Sequence, residues 1–153
     1  MLTATTTRVP EHTRGEFNEE IRRATEENVA RYATAGPEAI NRRLQELDHE
    51  WDIERTLEAN AATISLLGIA LGAAVDRRFF ILPGVVAGFL LQHALQGWCP
   101  PITFFRRRGV RTATEIDHER YVLKYLRGDF DHLPRDGGRT AVDARQALES
   151  MRA

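Results

Sequence analysis

Residues 59–105 read ANAATISLLGIALGAAV-DRR-FFILPGVVAGFLLQHALQGWCPPITFF, two apolar runs of 17 and 27 residues around the charged triplet Asp76-Arg77-Arg78. Those 47 residues hold 3 charges, and the other 106 hold 40. Averaged over the chain the composition looks soluble, but the segregation is a membrane protein's charge map. At about 1.5 Å per residue the first run reaches roughly 25 Å, near the minimum for a bilayer core. The second run is longer, with Phe79-Phe80-Ile81-Leu82 at one boundary and Trp98 at the other, where aromatic rings favour the headgroup layer. Asp76-Arg77-Arg78 is too polar for hydrocarbon and too short for more than a tight turn. The sequence therefore predicts an all-α fold: a two-span transmembrane helical hairpin (59–98, with spans 59–75 and 79–98) flanked by cytoplasmic amphipathic helices. The alternative is that both runs are core helices of a soluble, oligomeric α-protein.

Arginines near the span ends set the orientation. Arg43, Arg55, Arg106, Arg107, Arg108 and Arg111 flank the pair, against Arg77 and Arg78 in the turn. Six against two places both termini in the cytoplasm. Residues 1–20 hold Arg8, Glu11, Arg14, Glu16, Glu19 and Glu20 without an apolar h-region, so the first span itself is expected to serve as targeting signal.

Outward from the spans, residues 1–12 read as a flexible tail and 13–58 as a cytoplasmic helical stalk. Thr13-Arg14-Gly15-Glu16 fits a capping box, opening a helix to about Ala33. Gly36-Pro37-Glu38 breaks and restarts the chain, and Ile40, Leu44, Leu47 and Trp51 then recur at coiled-coil spacing. With no Pro or Gly between Glu38 and Gly68, that helix is expected to continue into the first span. Cys99-Pro100-Pro101 should end the second span, and Thr112-Ala113-Thr114-Glu115 should cap an interfacial helix that Gly128 closes, making 99–130 an interface segment. Residues 131–153 read as linker and tail, with a marginal helix over 141–152.

Gly97-Trp98-Cys99-Pro100-Pro101 and Gly109-Val110-Arg111-Thr112 carry a resemblance. Over residues 53–130 the chain resembles the small bacterial membrane family of unknown function typified by the YgaP-like transmembrane domain. Glu54-Arg55 takes the place of that family's acidic-Arg pair, Cys99-Pro100 its Cys-Pro, and Gly109 to Thr112 its Gly-x-x-Thr. The chain departs in Pro101, in Arg106-Arg107-Arg108 and in its N-terminal extension. Some relatives carry a rhodanese-type sulfurtransferase domain; the alternating strands and cysteine loop of that domain have no counterpart here. The resemblance implies a self-associating hairpin in the bacterial inner membrane and no known activity.

Each span holds a GxxxG strip, Gly68/Gly72 and Gly84/Gly88, where helix backbones can approach closely. Together with Ile40, Leu44, Leu47 and Trp51 these form the expected homo-oligomer interface, with closure of the hairpin inside one chain as the alternative use of either strip. Gln92, Gln96 and Cys99 make a polar line on the second span, with His93 beside it. It reads as interchain hydrogen-bonding or as a ligand or thiol site for a lipophilic carrier such as quinone. A single cysteine has no resolving partner within the chain, which favours a structural thiol over redox or sulfur-carrier chemistry. Asp48-His49-Glu50-Trp51-Asp52 and Asp117-His118-Glu119 place neighbours on different helix faces and read as solvated surface rather than metal ligands. No phosphate loop, nucleophile elbow or paired-acid pattern occurs, so no catalytic residue, metal or cofactor is expected. A net charge of −1 argues against nucleic acid. The sequence thus predicts a non-enzymatic membrane anchor or scaffold, with membrane lipid, further copies of itself and a protein complex as partners.

Overall fold

The computed structural model describes residue 4, residues 6–131 and residues 145, 146, 148, 149 and 151. The described residues are helical with no strand: α1 (Arg8–Glu11), α2 (Gly15–Ala33), α3 (Pro37–His49), α4 (Ile53–Ala74), a 3₁₀ turn (Arg77–Phe80), α5 (Ile81–Gln96), α6 (Pro100–Arg107) and α7 (Ala113–Arg127). They form two compact units, one of residues 1–23 and 51–114, the other of 24–50 and 115–153.

In the first unit α4 and α5 pack antiparallel. Asp52 caps α4 by accepting the Arg55 N–H at 2.7 Å, and Asp76 caps the 3₁₀ turn by accepting the Arg78 N–H at 2.8 Å. Glycine sets how close the two helices come. A Cβ on Gly68 would lie 2.8 Å from Pro83 Cδ and 2.9 Å from Leu82 Cβ, and one on Gly72 would meet the Phe80 ring at 2.9 Å. Gly84 and Gly88 have nothing within 4 Å of an added Cβ. The first strip therefore closes the pair within the chain, and the second faces outward.

Below the pair, Val9, Ile53, Leu57, Cys99 and Ile102 form a core flanked by Phe105 and Val110. Burying each large aliphatic side chain is worth about 1.5–3 kcal/mol. Val9, 3% exposed, brings the segment expected to be a free tail into this core. That expectation missed because one apolar residue among threonines and charges has no periodicity to betray it. Thr13 does not act as the expected cap; its hydroxyl donates back to the Val9 carbonyl at 2.7 Å. α5 ends at Gly97 rather than at the prolines. Gly97 has φ +75, and a Cβ there would stand 2.5 Å from Arg8 Cβ, so both backbone and packing demand glycine. Pro100 and Pro101 instead open α6, where a missing N–H costs no helical bond.

The stalk expected to run unbroken into the first span is two helices. α3 stops at Glu50, whose extended backbone (φ −68, ψ 129) is followed by the Asp52 cap. In the second unit α3 packs on α7 through Ile40, Leu44, Leu47, Ile116 and Leu123, with Tyr32 against them. The expected coiled-coil seam is thus buried against a helix of the same chain. Trp51 lies outside it, 48% exposed. Of the expected linker and tail over 131–153, residues 132–144, 147, 150, 152 and 153 lie outside the described residues, and with them most of the expected helix over 141–152.

Candidate functional site at the base of the helix pair

Three charged or polar side chains meet where α4 begins and α5 ends. Glu54 stands on the first turn of α4, His93 on the last turn of α5 and Arg8 at the start of α1. Arg8 Nη2 donates to Glu54 Oε1 at 2.8 Å, and Arg8 Nη1 donates to the Ala94 carbonyl at 3.2 Å. His93 Nε2 donates to Glu54 Oε2 at 2.6 Å. His93 is 5% exposed, and its Nδ1 is buried with no hydrogen-bond partner among the described residues. One carboxylate thus ties the two apolar helices and the N-terminal turn together.

The polar line of the second apolar run does not converge on one spot. His93 and Cys99 turn inward, Gln92 is half-buried and Gln96 is exposed. Cys99 is 2% exposed among aliphatic side chains. Burial pushes its thiol upward, the nearby Glu54 charge adds to this, and the Ile102 backbone hydrogen bond opposes it. The thiol is held neutral and shielded, a poor nucleophile. Of the arginine triplet, Arg106 points inward, donating to Asn18 Oδ1 at 2.8 Å and to the Val110 carbonyl at 3.1 Å, while Arg107 and Arg108 face outward. Gly109, with φ +80, reverses the chain after α6, and the Arg111 carbonyl accepts the Ile53 N–H at 2.8 Å. The Gly-x-x-Thr stretch therefore fastens the region after α6 to the start of α4.

Of the two acidic clusters read as solvated surface, Asp48, His49 and His118 are exposed, and Glu119 alone is buried. Glu119 is completely buried and accepts two hydrogen bonds from Arg43, at 2.8 and 3.2 Å. Asp48 accepts from Arg120 at 2.7 Å. Glu119 was hidden as surface because its partner lies 76 residues away, beyond any helical spacing rule. Among the described residues no group of three or more His, Cys, Asp or Glu is placed to hold a metal ion.

No protein-family model, curated protein or solved structure matches this chain.

Proposed function

We propose that the chain is a non-enzymatic membrane anchor of the bacterial inner membrane. In this reading α4 and α5 form a two-span hairpin and the helical unit built on α3 and α7 stands in the cytoplasm to recruit a protein complex. The observation that carries it is where the apolar side chains point. Leu66, Leu67, Val75, Ile81, Leu91 and Leu95 are each at least half exposed, and only 22% and 6% of the most apolar 18-residue stretches within the helices running to Ala74 and to Gln96 are buried. A soluble core helix hides such residues, and water penalises so large a contiguous apolar surface. Lipid does not.

Aromatic and basic residues at both ends support the same placement. Arg77, Arg78, Phe79 and Phe80 cluster at the turn, and Trp51, Arg55, Trp98 and Phe104 at the base. The six-to-two arginine bias orients the base and both termini inward. The outward-facing Gly84/Gly88 strip offers a flat face for a second copy within the membrane. The test is an Arg77→Cys variant in a Cys99→Ser background, probed in intact cells with an impermeant maleimide. Labelling in intact cells is expected; labelling only after permeabilisation overturns the orientation, and release of the protein by alkaline carbonate overturns the membrane reading.

A further inference from the structure

The base of the helix pair carries the same small arrangement twice. At the start of α4 the Arg55 guanidinium lies 4.5 Å from the centroid of the Trp51 ring, and at the end of α6 Arg108 lies 4.2 Å from that of Phe104. All four side chains are exposed. Both pairs belong to elements locked into one core, since Ile53 and Leu57 of α4 pack with Ile102 of α6. Neither guanidinium has a carboxylate partner among the described residues, in contrast to Arg8, Arg43 and Arg120. Arg107, next to Arg108 in sequence, is also exposed, and Trp98, at the end of α5, is 36% exposed. At the opposite end, Arg77 and Arg78 stack on no ring among the described residues.

Stacking occupies the face of a guanidinium and leaves its N–H edge free. That edge matches the oxygens of a phosphate in a bidentate way, which a lysine ammonium does not. An indole or phenyl ring beneath it prefers the layer between headgroup and acyl chain. We propose that Trp51–Arg55 and Phe104–Arg108 are two seats for the phosphate groups of anionic phospholipids. The inference rests on the membrane reading above and adds to it a lipid class and the residues that select it. The occupant is a lipid rather than a free anion because each seat pairs the phosphate-binding edge with an exposed aromatic ring, and both seats sit on elements packed into the core at the base of the helix pair whose apolar side chains are exposed.

The full chain in nonionic micelles is titrated with phosphatidylglycerol or phosphatidylcholine, and bound lipid is counted by native mass spectrometry. Wild type is expected to retain phosphatidylglycerol at least about tenfold better. Arg55→Gln with Arg108→Gln should lose about twenty-five-fold, near fivefold per arginine, with helical content unchanged. Arg55→Lys with Arg108→Lys should recover only part of that loss. Equal retention of the two lipids, or unchanged retention in the glutamine variant, overturns the proposal. Displacement by inorganic phosphate alone reassigns the seats to a free anion and also overturns it, and full recovery by lysine overturns the stacked geometry. Carbonate extraction of the same protein separates the two levels: a chain that resists extraction but binds both lipids alike loses the lipid seats only, and one that is released loses the membrane reading as well.

Discussion

Glu54 and His93 meet at 2.6 Å across 39 residues of sequence, and the same carboxylate binds Arg8 at 2.8 Å. A shared carboxylate couples its partners, so the effects of removing them should not add.

In micelles, Glu54→Ala should lower stability by about 1–3 kcal/mol, because it strands a buried imidazole and a partly buried guanidinium. A double-mutant cycle with His93→Ala should return a coupling above about 0.5 kcal/mol. Thermal unfolding of the four proteins measures it; additive losses would show that the contact stabilises nothing.

The two glycine strips should respond differently to one methyl group. Gly68→Ala forces atoms of Leu82 and Pro83 to move and should cost about 1–3 kcal/mol. Gly88→Ala meets open space and should change stability by less than about 0.5 kcal/mol. Gly88→Ile should then weaken self-association without unfolding the pair, read as mass in mild detergent. Matching losses at positions 68 and 88 would contradict the packing described.

Burial raises the Cys99 thiol, so the folded chain keeps its proton through the pH range where an unfolded thiol loses it. Maleimide labelling of native protein should be at least about tenfold slower than in denaturant at neutral pH, and should rise only above the ordinary thiol range. The sign also fixes stability: the contribution is complete below the unfolded thiol's pKa and falls as pH climbs through the folded one. Equal labelling rates, native and denatured, at neutral pH would restore thiol chemistry as a candidate role.

Leu44→Asp with Leu47→Asp should melt the α3–α7 unit, because each change replaces a buried leucine by a charge among Ile40, Ile116 and Leu123. The expected loss exceeds about 4 kcal/mol. Circular dichroism should show reduced helix while carbonate resistance persists; a full helical signal would place these leucines outside any core.

The alternation of apolar runs and charge made the two long helices legible, and their length and exposure follow from it directly. The α3 stripe was legible too, since Ile40, Leu44 and Leu47 do share one buried face. Its partner was not, because a heptad seam reads the same whether it meets another copy or a helix of its own chain. Asp52 held a weak signal for the break in the stalk: aspartate is a favoured N-cap, but with no Glu or Gln three residues on and no Pro or Gly nearby it reads as one more charge on a solvated face. The base cluster was illegible for a different reason. Arg8, Glu54 and His93 come from three separate elements, and no spacing rule reaches that far.

Gly97 leaves no room for a Cβ beside Arg8, so α1 seats against the end of α5, a segment far along the sequence. Val9 leaves the ribosome long before Leu57, Cys99 and Ile102, and it has no burial site until all of them exist. The base therefore closes only after the helix pair has formed. Until α5 exists Arg8 lacks the Ala94 carbonyl and Glu54 lacks His93, and once it does α1 is drawn onto the end of the second apolar helix.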